Sequence, residues 1–113
     1  MSKTLNFNNV QKHYLTITLA DEKQTTLMIG TPTKAIMDDL VFLQSSLENI
    51  NEDETSVEAT DNLYNACARV MSRNKGNIKI TKEYLENIFD FEDITIFFTA
   101  YMEFVTEVTN AKN

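Results

Sequence analysis

The chain has 113 residues and 42% hydrophobic content, enough to bury a core without disulfides or metals and too apolar for a disordered chain. Its formal net charge is −7, which repels phosphate backbones and argues against nucleic acid as a partner. One cysteine, two glycines and one proline exclude an internal disulfide framework and favour long regular elements over tight turns.

The charge is uneven. Residues 1–34 carry +2, residues 35–74 carry −6 and residues 75–113 carry −3. Met1-Ser2-Lys3-Thr4-Leu5-Asn6-Phe7 has no apolar h-region, so no signal peptide is expected there. No run approaches the length of a membrane span. A soluble protein of a reducing cytoplasm is expected, with no membrane partner.

In chain order, residues 14–29 read as a β-hairpin. Leu15, Ile17 and Leu19 alternate onto one face, as do Leu27 and Ile29. The polar stretch Ala20 to Gln24 lacks the residues of a two-residue turn, so a longer loop is expected. Leu5 and Phe7 have the alternation to supply a third strand. At Gly30-Thr31-Pro32-Thr33 the period switches from two to 3.6. Thr31 is placed to cap and Pro32 to open helix 1, which runs to about Asn49. Ile36, Leu40, Leu43 and Leu47 form its stripe, widened by Met37, Val41 and Phe42.

Glu52-Asp53-Glu54 precedes helix 2, expected over Thr55 to Arg73. Its stripe is Thr60, Leu63, Tyr64, Cys67, Val70 and Met71. Asn74-Lys75-Gly76-Asn77 is the stop signal, and Ile78-Lys79-Ile80 is short and extended. Thr81 caps a short helix 3 with Tyr84, Leu85, Ile88 and Phe89. Asp90 caps helix 4, which reaches about Thr109 through Ile94, Phe97, Phe98, Tyr101, Val105 and Val108. The expected fold is mainly α with a small N-terminal β-hairpin, a compact bundle of about four helices in a single domain. Residues 1–30 form the arm and hairpin, 31–109 the helical body, and 110–113 a frayed tail.

Chemistry is hard to find in these residues. His13 is the only histidine and has no thiol or second imidazole near it in sequence. Cys67 sits on an apolar stripe without a base or an electropositive setting, and is expected buried and inert. Asp38 and Asp39 are adjacent on a helix and point about 100° apart, so they do not chelate together. No Gly-rich phosphate loop, EF-hand or nucleophile motif is present. No catalysis, cofactor or metal is expected. The strongest feature is helix 4, because six of the eleven aromatic residues fall between Phe89 and Phe104. A helix so apolar either forms the buried centre of the domain or leaves one side as a docking surface. Phe97, Phe98, Tyr101, Met102, Phe104 and Val105 are the candidate partner-binding residues, with Phe98, Met102 and Phe104 the ones expected to be left outside the core.

The order of elements also carries a resemblance. Lys12-His13-Tyr14-Leu15-Thr16-Ile17-Thr18-Leu19-Ala20-Asp21 leads to Gly30-Thr31-Pro32-Thr33-Lys34. Met71-Ser72-Arg73-Asn74-Lys75 and Ile80-Thr81-Lys82-Glu83-Tyr84-Leu85 follow, and the chain closes with Ala100-Tyr101-Met102-Glu103-Phe104 and Lys112-Asn113. Over nearly its whole length the chain resembles the tail assembly chaperones of long-tailed phages and prophages of Gram-positive bacteria. The resemblance rests on layout and size. It implies a small acidic helical protein that binds the tape measure protein and keeps it soluble while tail tube protein assembles around it. It also implies action in the bacterial cytoplasm and absence from the finished tail. Many members have a longer product made by a ribosomal frameshift near the gene's end. Self-association is a natural way to cover the apolar surface before the client arrives. Two alternatives stand beside this: an acidic decoy that mimics DNA, and a structural component of the head or tail.

Overall fold

The computed structural model describes residues 4–7, 12–48 and 57–110. Two strands, β1 (Leu15–Thr18) and β2 (Thr26–Ile29), precede four helices: α1 (Lys34–Glu48), α2 (Val57–Met71), α3 (Lys82–Ile88) and α4 (Phe91–Asn110). The expected hairpin and four helices are therefore present. The linker around Glu52-Asp53-Glu54, the end of the tail at 111–113 and the side chain of Leu47 lie outside the described residues.

The strands pair antiparallel, with Leu15 opposite Ile29 and Ile17 opposite Leu27. Period-two alternation turns Leu27 and Ile29 into the core, where both are buried. The loop between the strands is held by Asp21. Its carboxylate accepts from the Thr25 amide at 2.9 Å and the Thr25 hydroxyl at 2.7 Å, and from the Tyr84 hydroxyl of α3. These three donors, Tyr84 first, hold the Asp21 carboxyl down at about 2. Gln24 takes a left-handed conformation, φ 50°, which closes the loop so that the Leu19 amide reaches the Thr25 carbonyl at 2.8 Å.

The third strand expected from Leu5 and Phe7 does not form. Both side chains are exposed, and among the described residues the sheet has two strands. The outer edge of β2 is instead occupied by the turn that follows α2. The Gly30 amide donates to the Arg73 carbonyl at 3.0 Å, the Lys75 amide donates to the Met28 carbonyl at 2.9 Å, and Ile29 bridges Asn74. These bonds satisfy the backbone at the end of β2.

Helix boundaries follow local chemistry. α1 opens at Lys34 rather than Pro32, because the Thr33 hydroxyl, not that of Thr31, accepts the Ile36 amide at 3.3 Å. The Thr81 hydroxyl caps α3 by accepting the Tyr84 amide at 3.1 Å. α4 begins with a reciprocal box: the Asp90 carboxylate accepts the Asp93 amide at 2.8 Å, and the Asp93 carboxylate accepts the Asp90 amide at 3.1 Å.

The helix at the centre is α2, which touches α1, α3, α4 and β2. The domain's buried centre, one of the two readings of helix 4, is thus held by α2. α2 earns its place by amphipathicity: Leu63, Cys67, Val70 and Met71 are all buried, while Asn62, Asn65 and Arg69 face out. Leu40, Leu43, Leu85, Ile94 and Tyr101 from the other helices join the same cluster. Each fully buried aliphatic side chain of this kind contributes about 1.5–3 kcal/mol before entropy is subtracted.

Two polar side chains replace missing backbone partners where α2 gives way to the extended 78–80 segment. The Ser72 hydroxyl accepts the Ile80 amide at 3.0 Å and lies 2.8 Å from the Ala68 carbonyl. Asn74 is buried, and its carboxamide bonds Met71 and Ile78. Tyrosine hydroxyls make two more long-range ties. Tyr64 donates to the Phe89 carbonyl and Tyr101 to the Gly30 carbonyl, each at 2.8 Å.

Candidate interaction surface

Cys67 and His13, the residues with the most chemical potential, are separated. Cys67 is 1% exposed, and burial pushes its thiol up to about 12. A neutral thiol inside an apolar core is a packing group and not a nucleophile. Native protein is expected to react with a thiol reagent only through opening, so labelling should be slow and should accelerate sharply in denaturant. Stoichiometric labelling within seconds in buffer would contradict this placement. His13 is exposed just ahead of β1. Among the described residues no group of His, Cys, Asp and Glu is arranged to hold a metal ion, and no helix is long and apolar enough to cross a membrane.

The six candidate residues of α4 divide into three sets. Phe97 and Tyr101 belong to the core, at 6% and 1% exposure, and their rings stack with centroids 5.9 Å apart. Phe104 is half-buried on the flank beside them, its ring tilted against Tyr101 at 5.9 Å. Phe98, Met102 and Val105 fall on the opposite flank, which turns toward α1. Phe98 is not left over as expected. It is 8% exposed, because its ring packs into the core while one edge reaches the surface. Met102 and Val105 are half-buried.

This flank of α4 and the facing flank of α1 form an open groove. It has a volume of about 610 Å³ and is lined by Gln44 of α1 and by Phe98, Thr99, Met102, Glu103, Thr106 and Glu107 of α4. A separate hollow of about 440 Å³, with no lining residue in common, lies between the start of α1, including Lys34, Met37 and Asp38, and Val105, Val108 and Thr109 of α4. The pairing of the start of α1 with the end of α4 means that the two helices run antiparallel. Helical spacing explains the lining. Met37 and Gln44 lie along one side of α1, and Phe98, Met102 and Val105 along one side of α4.

The contribution of α1 is the part that reasoning from sequence missed. Met37 was legible as extra apolar width on helix 1, but not as facing Val105 and Val108 of α4. Outside the groove, Phe42 and Ile96 are the most exposed large apolar side chains of the helices, at 73% and 63%. Phe42 has the exposed Val41 beside it in the chain, and such surface apolar residues are common. Comparison with protein families, with curated proteins and with solved structures returns no match.

Proposed function

We propose that this protein is a tail assembly chaperone: it binds the tape measure protein of a long-tailed phage, keeps it soluble while tail tube protein assembles, and catalyses nothing. The observation that carries the proposal is the groove between α1 and α4. A holdase needs open apolar surface for its client and a charged remainder for its own solubility. The groove supplies the first through Phe98 and Met102, with Met37 and Val105 in the neighbouring hollow, and the net charge of −7 supplies the second. Methionine suits a site for an extended apolar client, since its unbranched side chain repacks at little cost. The resemblance to tail assembly chaperones points the same way. Host cytoplasm as the place of action and loss from the finished tail come with this proposal.

A DNA-mimicking decoy requires rows of free carboxylates. Here Asp38 pairs with Lys34 at 2.9 Å, Asp39 with Arg69 at 2.6 Å, and Asp61 and Glu86 share Lys82. These pairs interrupt the acidic faces of α1, α2 and α3, and the carboxylates left free among the described residues, such as Glu103 and Glu107, stand in small groups and not in a row, which favours the chaperone.

The test is co-expression with the tape measure protein encoded in the same gene cluster. The native chain is expected to bring it into the soluble fraction and to co-purify with it. Met102→Gln keeps helix propensity and length, so folding stability should change by less than about 1 kcal/mol. Client binding should weaken by about 2 kcal/mol or more, as for an interface anchor. A tape measure protein that stays insoluble beside the native chain would overturn the proposal.

A further inference from the structure

The floor of the groove is apolar, but its outer rim is acidic. Phe98 and Met102 form the α4 side of the floor, and Glu103 and Glu107 line the same groove one row further out. Both carboxylates are exposed, and neither takes part in an ion pair among the described residues. Gln44, the α1 residue opposite, is neutral, and no lysine or arginine lines this stretch among the described residues.

The two glutamates are unfavourable for α4 itself. They stand one turn apart, where like charges repel. They also lie in the C-terminal half of a helix with no basic residue in its last turn, the end where negative charge opposes the macrodipole. A cationic partner laid along the groove would relieve both effects.

From this charge pattern we infer that the groove takes an amphipathic helix of another protein, one that carries lysine or arginine along one flank of its apolar stripe. The stripe would rest on Phe98 and Met102, and the basic flank would face Glu103 and Glu107. Residues 98–107 of α4 offer about 15 Å of wall, long enough for the i, i+3, i+4, i+7 anchors by which a groove reads a helix. This inference rests on the chaperone proposal only for the client's identity; the recognition chemistry is tested apart from it.

Two synthetic peptides of about 18 residues share one leucine stripe at i, i+3, i+4 and i+7. One carries lysine on its flanks and the other glutamate, and each is titrated against the full chain by fluorescence anisotropy and by NMR. The lysine peptide is expected to bind and to shift the resonances of Phe98 and Met102. The glutamate peptide is expected to bind about tenfold more weakly or worse. In the Glu103→Lys, Glu107→Lys double variant the preference should reverse, with an unfolding midpoint no lower than that of the native chain. Equal affinities, no binding of the lysine peptide, shifts away from the groove, or a free chain whose groove is already covered by a second copy would each overturn the inference. A chain that binds the lysine peptide yet leaves the tape measure protein insoluble overturns the chaperone proposal alone. One that holds the tape measure protein but does not discriminate between the peptides overturns this inference alone.

Discussion

Tyr101→Ala is expected to lower unfolding free energy by about 3–5 kcal/mol, a large part of what a domain of this size possesses. The ring is 1% exposed and lies between Phe97 and Phe104, with both centroid distances 5.9 Å. Deleting it removes those contacts and leaves a cavity where α4 meets the end of β2. The hydroxyl adds a separate term, since it donates to the Gly30 carbonyl at 2.8 Å. Gly30 also donates its amide to Arg73, so this one residue joins α4, the hairpin and the turn after α2. Tyr101→Phe keeps the ring and should cost only about 0.5–1.5 kcal/mol. Urea unfolding of both variants separates packing from hydrogen bonding. Alkaline pH gives a further check. Burial raises the Tyr101 phenol above its ordinary value, so the folded state favours the neutral form. Its contribution is complete below about pH 10 and is lost as pH rises further. The fall in stability above pH ~10 should therefore be shallower in Tyr101→Phe than in the native chain. An alanine variant that unfolds at the native midpoint would remove Tyr101 from the core.

Most of the architecture was legible because two periods and a few caps carry it. Leu15 to Leu19 alternate, Ile36 to Leu43 repeat at helical spacing, and Thr81 and Asp90 stand where their side chains accept amides of the following turn. The start of α1 was misplaced within a run holding two threonines and a proline, since composition cannot say which hydroxyl turns back onto the helix. Leu5 and Phe7 show the other limit. Their alternation was real, but alternation does not say whether a segment finds a pairing partner; residues 73–75, distant in sequence, are the ones that bond the end of β2.

The interaction surface was legible only in half. α4 is apolar over more than half its circumference, so its sequence does not say which side meets α2. Phe98 and Met102 are one turn apart, yet one is buried and the other half-buried. The facing wall of Met37 and Gln44 depends on the antiparallel placement of α1 and α4, elements separated by all of α2 and α3. No local pattern encodes that.

Asn74 makes the same point in energetic terms and carries the second large effect. In sequence it looked like part of a solvated stop signal, yet it is 6% exposed. Its amide nitrogen donates to the carbonyls of Met71 at 2.8 Å and Ile78 at 2.6 Å, and its carbonyl oxygen accepts the Ile78 amide at 2.8 Å. One side chain thus closes the last turn of α2 and holds the extended segment that leads to α3. Asn77, in a left-handed conformation at φ 58°, reverses the chain between the two ends of that clasp. Asn74→Ala strands backbone groups that were paired, and losing a buried partner costs the desolvation of the group left behind. We expect a loss of about 2–4 kcal/mol. Asn74→Asp should be no better, because a carboxylate still accepts the Ile78 amide but is repelled by the two carbonyls. Ser72→Ala removes a hydroxyl that holds the Ile80 amide at 3.0 Å from the same segment, and should cost less, about 1 kcal/mol. Urea unfolding measures all three variants, and amide exchange at Ile78 and Ile80 reports whether the clasp opens before the core does. If Asn74→Ala unfolds within about 0.5 kcal/mol of the native chain, the carboxamide is not what holds α2 to α3.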